Sequence, residues 1–246
     1  ALPVLFIGFE RVRAPCTINA MNAKDAWIVI TAFNEAPVIA GVLADVLKRR
    51  PHVVVVDDGS KDGSGEIALT AGASVLRHPV NLGAGAAQQT GIDYALSRGA
   101  KIIVTFDADG QHMASDIDAL VADLQKAGTD FALGNRFKGH VENMPLMRRI
   151  VLKMAVLFTV FSTGLKMTDA HNGLRAMTAE AARKIRFRQN RMAHGSEIIE
   201  QIAKLKLSYV ETPVTIRYTD YSLKKGQSSL NAINILFELI SERILK

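Results

Sequence analysis

Three stretches of this chain carry a run that is apolar at nearly every position: WIVITA in residues 27–32, VVVV within 52–60 (HVVVVDDGS) and IIVTF within 101–110 (KIIVTFDADG). A strand with one face in water alternates apolar and polar residues. A solid β-branched run is buried on both faces, which marks a central strand of a parallel sheet with helices above and below. Each run is separated from the next by a segment with helical spacing. In residues 34–49, Val38, Leu43, Val46 and Leu47 recur on one face, Asn34 reads as the cap, and Glu35 and Pro37 suit the first turn. Further helices are expected over 64–69, 84–98 and 115–126, the last capped by Ser115, and further strands over 73–78 and 131–137. Repeated β-α-β defines an α/β fold: a mostly parallel, twisted central sheet, right-handed in its crossovers, with helices on both faces.

Past residue 140 the pattern changes. Residues 145–165 form a long amphipathic stretch carrying Arg148, Arg149 and Lys153, followed by a loop over 168–175, then helices and a strand over 209–218. Residues 230–244 read as an amphipathic helix with Ile233, Leu236, Phe237, Ile240 and Ile244 on one face. The expected organisation is an N-terminal extension over 1–20, native or not, a single α/β domain over 21–230 and a C-terminal amphipathic helix over 231–246.

Charge is unevenly placed. Residues 1–130 hold 11 Lys/Arg against 15 Asp/Glu, and residues 131–246 hold 19 against 9. A basic second half suits an anionic partner. Nothing resembles a helix-turn-helix, a zinc finger or an aromatic RNA-binding signature, so nucleic acid is not expected. The longest apolar-rich run, 154–165, is shorter than the ~20 residues of a membrane span. The N-terminal LPVLFIGF lacks the basic flank and cleavage site of a signal peptide. With Cys16 as the single cysteine, these features suit the cytoplasm, including a peripheral position at the inner face of the membrane.

In such sheets ligands bind beyond the carboxyl ends of the strands, where both acidic clusters fall. Asp107 and Asp109 end a buried strand. Two carboxylates converging on one cleft repel unless a proton or a cation lies between them. A hard divalent ion, Mg²⁺ or Mn²⁺, resolves this and normally shares its coordination with substrate phosphates. Gln111 can add or orient an oxygen. The alternative is that both aspartates brace a turn. Asp57 and Asp58 end the second strand, where they can accept from a base N–H or a ribose hydroxyl, or form a plain Asp-Gly turn. The segment 81–91 (NLGAGAAQQTG) has Gln88 where a dinucleotide fingerprint needs its third glycine, and it follows the third strand, so a Rossmann dehydrogenase is a poor reading. Small residues there let a helix approach the sheet, and Gly83 can offer a backbone N–H to a ligand. His112, His171 and His194 are too scattered for a zinc site. Glu197 suits either a general base or a helix brace.

Taken in order, TAFNE, VVDDGSKDGS, NLGAGAA, FDADGQH, GNRF, DAHNGLRA and KKGQS resemble the inverting family 2 glycosyltransferases of GT-A fold, and within them the dolichyl-phosphate mannosyltransferase or polyprenyl-phosphate branch. The resemblance implies a nucleotide-diphosphate sugar donor, of the GDP-mannose or UDP-glucose type, and a polyprenyl phosphate acceptor. It puts Ala32, Phe33, Glu35, Asp57 and Asp58 around the base and ribose. Asp107, Asp109 and Gln111 would hold the metal and the diphosphate, with Asp109 central to catalysis. Arg136, Arg148 and Arg149 would cradle the acceptor phosphate, to which guanidinium groups are matched; the alternative for Arg148 and Arg149 is a solvated helix face. The chain departs from the family at Leu152, where a hydroxyl is usual, and at His171 and Asn172, where small hydroxyl residues are usual. Where the family has an arginine before its G-x-S segment, Lys224, Lys225 or Arg217 must serve. A relative with a saccharide acceptor would need a base, Glu197 or Asp169; a non-catalytic nucleotide-binding module is the third reading. A homodimer, a membrane surface or a membrane subunit are the expected partners of the amphipathic segments.

Overall fold

The computed structural model describes residues 25–190 and 193–225. The extension over 1–20, the helix over 231–246 and the G-x-S segment lie outside the described residues.

Seven strands form one sheet: β1 (Ala26–Ala32), β2 (Val53–Asp57), β3 (Ser74–Arg77), β4 (Ile102–Asp107), β5 (Phe131–Glu142), β6 (Arg175–Thr178) and β7 (Tyr209–Arg217), in the order β3-β2-β1-β4-β6-β5-β7. The β1–β2, β1–β4, β2–β3 and β5–β7 pairs are parallel, whereas β6 runs antiparallel to both β4 and β5. The apolar runs read from sequence are the central strands, and their successive residues divide between two cores. Ile28, Ile30, Val53, Val55, Ile102 and Val104 pack on one face, with Ile39 and Leu43 of α1 (Ala36–Leu47) and Ile117 and Leu120 of α4 (Asp116–Ala127). Val29, Val54 and Ile103 pack on the other, with Ile92 of α3 (Ala84–Ser97) and Ile198 and Ile202 of α7 (His194–Lys204). Each such side chain, fully buried, contributes roughly 1.5–3 kcal/mol.

Two capping expectations fail. Helix α1 starts one residue later, at an N-cap of Glu35. Asn34 instead has φ +54°, a left-handed conformation asparagine tolerates, and its side-chain oxygen accepts from Lys61 N at 2.9 Å. Ser115 stands at the N-cap of α4 with helical dihedrals and makes no side-chain cap.

Strand β6 was not legible in the sequence. Its four residues slot between β4 and β5 and carry the preceding loop, 168–174, back over the end of β4. Helix α5 (Leu146–Thr163) coincides with the expected amphipathic stretch; α8 (Asp220–Lys225) closes the described chain.

Candidate active site

A cavity of about 750 Å³ opens at the carboxyl ends of β1, β4 and the β5 bend. Its walls include Ala32, Phe33, Glu35, Asp58, Gly83, Asp107, Asp109, Arg136, Arg148 and Lys225 from the sequence expectations. It also includes Arg175, Glu200, Gln88, His171 and His194, and the α5 residues Val151, Leu152, Ala155 and Phe158.

The acidic pair is brought together on this wall. His112 Nε2 lies 3.0 Å from Asp107 Oδ2, and Gln111 N donates to Asp109 Oδ1 at 3.0 Å. Burial alone would raise Asp107, but the hydrogen bond and charge of His112, with further help from His194 and Arg175, hold it below the ordinary carboxylate range. The Asp107 side chain is still 44% exposed, so a ligand reaches it through the cavity. Asp109 behaves oppositely: burial and the neighbouring Asp107 charge push its carboxyl up to about 6. Two repelling carboxylates at a cavity wall fit a hard cation that takes its remaining oxygens from a bound diphosphate. No group of three or more His, Cys, Asp or Glu among the described residues forms a cage for a metal by itself. Gln111 is not in the cavity wall; the contact it makes with the acidic pair is the backbone hydrogen bond to Asp109. A Cβ at Gly173 would collide with the Asp107 carboxylate, so with any larger residue here either the loop or the Asp107 side chain has to move.

Asp57 and Asp58 separate. Asp57, the last residue of β2, is fully buried away from the cavity, while Asp58, one residue past the strand end, lines it. Asp57 accepts from Ser60 N at 2.8 Å, with Arg77 Nε 3.3 Å away, and so braces its turn rather than a ligand. Asp58 accepts from Leu82 N at 2.9 Å and Gly83 N at 2.8 Å, and His78 Nδ1 lies 2.7 Å off. Its carboxylate thus fixes the turn entering α3, where Gly83 adopts φ +103°.

The cationic side is built around Arg136. Asn135 Oδ1 accepts from Phe137 N and Lys138 N, and the register against β7 shifts between Asn135 and His140. Such irregularities re-aim side chains. Arg136 Nε donates to Asp169 Oδ2 at 2.7 Å, Nη1 to Tyr218 Oη at 3.0 Å and Nη2 to the His171 carbonyl at 2.7 Å. A guanidinium has five N–H donors, so two of them are left for a ligand. The Arg148 guanidinium lies 4.9 Å over the Tyr218 ring, so one tyrosine steadies both arginines. Arg175, which sequence reasoning missed, is buried in the wall; burial lowers it to about 10, so it stays cationic at neutral pH. Its signal was present in DAHNGLRA, but only the pairing of β6 shows that it enters the site.

Other expectations are displaced. Asp169 is buried and engaged with Arg136, and does not line the cavity. Glu197 accepts from Arg188 N and Gln189 N at 2.9 Å and braces that loop; the carboxylate of α7 that lines the cavity is Glu200, one turn on. Arg217 is paired with Glu142 at 2.7 Å, outside the cavity, and Arg149 and Lys224 are also not in its wall. Lys225 is: its Nζ meets Glu35 Oε1 at 2.8 Å and the Phe33 and Asn34 carbonyls, tying α8 to the loop after β1.

This combination of a mixed α/β sheet and an acidic pair at the end of its fourth strand is that of a GT-A glycosyltransferase. The solved structure of glucosyl-3-phosphoglycerate synthase from Mycobacterium tuberculosis with Mn²⁺, UDP and glucosyl-3-phosphoglycerate shares the fold at a TM-score of 0.67 and 18% identity, over 87% of this chain and 78% of that one. The family model for glycosyl transferase family 2 matches residues 27–186, and the chain belongs to that family. An uncharacterised protein of Methanocaldococcus jannaschii is 40% identical over 92% of this chain and 96% of its own length. The UDP-N-acetylglucosamine–dolichyl-phosphate N-acetylglucosaminyltransferase of Methanococcus voltae is 29% identical over 89% and 96%. The polyprenol monophosphomannose synthase of Mycolicibacterium smegmatis is 32% identical over 70% and 67%.

Proposed function

We propose that this glycosyltransferase moves a sugar, with inversion, from a nucleoside-diphosphate sugar to a polyprenyl phosphate, with Mg²⁺ or Mn²⁺ bound. The observation that carries the reading is that Asp107 and Asp109 share one cavity with Arg136, Arg148 and Arg175, beside an apolar wall from α5. Phe33 and Glu35 line the end suited to the nucleoside, with Asp58 holding the Gly83 turn beside it. Asp107 and Asp109 would hold the metal, which supplies Lewis-acid stabilisation of the departing diphosphate. The free N–H donors of Arg136, with Arg148 and Arg175, bind and orient anionic oxygens. An ionised acceptor phosphate attacks the anomeric carbon through one oxygen. The new C–O bond forms as the bond to the diphosphate breaks, and the electron pair leaves with the nucleoside diphosphate. No proton has to be removed, which agrees with the engagement of Asp169 and Glu197 as braces.

Helix α5 supports a lipid acceptor and a peripheral membrane position. Its inner face, Arg148 included, lines the cavity, while Leu146, Met147, Met154, Leu157 and Phe161 are exposed, with the exposed Arg149 and Lys153 beside them. Among the described residues no helix is long and apolar enough to cross a membrane. Glu200, a carboxylate in the wall, favours the second reading, a hydroxyl acceptor with a general base.

The test is incubation with labelled nucleotide sugars, Mn²⁺ and a short polyprenyl phosphate. Label in the organic phase is expected. Label on an added saccharide would favour the second reading, and nucleotide binding without transfer to either acceptor would overturn both.

A further inference from the structure

His171 and Asn172 are where this chain leaves the motif of its family, and only His171 faces the cavity. Its Nε2 lies 3.0 Å from Ser196 Oγ, at the start of α7, and Ser196 also lines the cavity. Its Nδ1 is buried and has no protein partner. Burial first, then the charges of Arg175 and Arg136, outweigh the opposing charge of Asp169 and keep the imidazole neutral, at about 4. A neutral imidazole has one donor and one acceptor. Whichever tautomer Ser196 satisfies, the second nitrogen is a buried polar atom that gains from a partner and costs free energy without one.

Gln88 repeats the pattern from α3. It is 5% exposed, lines the same cavity, and its Oε1 is buried without a protein partner. Packing does not account for either group, because an apolar side chain would fill those positions without an unmet hydrogen bond. Nor does the acceptor phosphate account for both: a phosphate dianion offers only acceptors, so it cannot meet the Gln88 Oε1. His171 and Gln88 line the same cavity as Asp107 and Asp109, so a sugar carried on a diphosphate bound at the acidic pair shares that space with them.

We propose that His171, steadied by Ser196, and Gln88 form a neutral polar subsite that hydrogen-bonds a hydroxyl of the transferred sugar and so selects between sugar epimers. This rests on the nucleotide-sugar reading above. A hydroxyl both donates and accepts, so it satisfies either tautomer of His171 as well as the Gln88 carbonyl oxygen.

The experiment compares kcat/KM for UDP-glucose against UDP-galactose and for GDP-mannose against GDP-glucose, in wild type, His171→Ala, His171→Gln and Ser196→Ala. Wild type should favour one member of the pair it uses by at least about tenfold, since a site built to bond a hydroxyl rejects the sugar that misplaces it. In His171→Ala and Ser196→Ala that ratio should fall to about threefold or less, with His171→Gln intermediate, while affinity for the bare nucleoside diphosphate stays within about twofold. A merely structural role would lower both epimers and the bare nucleotide together, and that result overturns the proposal, as does an unchanged ratio in the variants or a wild type indifferent to the epimer. A wild type that turns over neither pair is assayed with UDP-N-acetylglucosamine against UDP-N-acetylgalactosamine in the same four proteins, and turnover of none of the three pairs overturns the donor reading itself.

Discussion

Asp169 holds Arg136 through two donors at once: the backbone N at 3.0 Å and Nε at 2.7 Å both reach Oδ2. Both side chains are buried, and Thr168 N and Asp169 N in turn donate to Glu211 Oε1 at 2.7 and 3.3 Å. The carboxylate is therefore a support for the guanidinium rather than a base. Removing its charge leaves a buried cation uncompensated. Breaking such a pair costs about 3–5 kcal/mol, which in a domain of this size is a fall in Tm of roughly 10 °C or more. Asp169→Asn should show that loss together with reduced turnover. A variant as stable as wild type but inactive would point instead to Asp169 as the base.

Asp109→Asn is expected to separate stability from activity. Burial and the Asp107 charge both penalise the ionised Asp109 carboxylate, so the neutral amide relieves strain that a bound cation would otherwise relieve. Without added metal the variant should melt at or above the wild-type temperature. Adding Mn²⁺ should raise the Tm of wild type and leave that of Asp109→Asn unchanged, since a ligand stabilises only the state that binds it. Equal metal-induced shifts in the two proteins would remove Asp109 from the ligand set.

Glu197→Gln should keep transfer activity within a few-fold of wild type. The glutamine oxygen can still accept from Arg188 N or Gln189 N, which is the role the geometry gives Glu197. General-base catalysis contributes on the order of 10²–10⁴-fold, so a loss of that size in Glu197→Gln, with Tm unchanged, would restore Glu197 as the base.

The sequence carried the central strands plainly, because unbroken apolar runs such as Val53–Val56 have only one comfortable place in an α/β domain. It carried the acidic pair equally well, since the end of a buried strand is where a sheet of this kind presents its ligands. What it did not carry was the site's other half. Arg175 enters the wall only because β6 pairs antiparallel between β4 and β5, a non-local choice that four residues of sequence do not advertise. Asp57 and Asp58 looked equivalent in DDGS. Only Asp57 belongs to β2 and is buried with it, while Asp58 follows the strand end into the cavity wall, and that depends on where β2 stops. Glu197 and Glu200 lie on one helix, and which of them faces the cavity follows from the docking of α7 against its neighbours.

Stability should fall as acid protonates His171. Its pKa is depressed from 6.5 to about 4, so between those values the unfolded chain binds a proton that the folded chain refuses. The contribution is neutral above about pH 6.5, grows unfavourable as pH falls toward 4, and reaches at most about 3 kcal/mol. Asp109, raised to about 6 from 3.8, acts with the opposite sign in nearly the same window. The comparison must therefore be between proteins: His171→Asn should lose less Tm than wild type between pH 7 and pH 4.5. Parallel pH profiles would mean that the imidazole titrates normally in the folded protein.

The exposed side of α5 gives the acceptor its sharpest test. Phe161 is 89% exposed, and Leu157 lies one turn before it on the same outward face, so neither holds the core together. Each would contribute about 1.5–3 kcal/mol if fully withdrawn from water into a lipid surface, and each nearby Arg or Lys adds about 1 kcal/mol at an anionic leaflet. The double change Leu157→Glu with Phe161→Glu should abolish sedimentation with vesicles containing anionic lipid. It should lower transfer to a long polyprenyl phosphate in those vesicles by at least about tenfold, because each 1.4 kcal/mol of lost surface affinity is a factor of ten. Transfer to a short, water-soluble polyprenyl phosphate should stay within about twofold, since α5 lines the cavity with its other face. If vesicle sedimentation survives the double change, the outer face of α5 is not what meets the membrane; if the short acceptor suffers as much as the long one, the two residues act on the site itself.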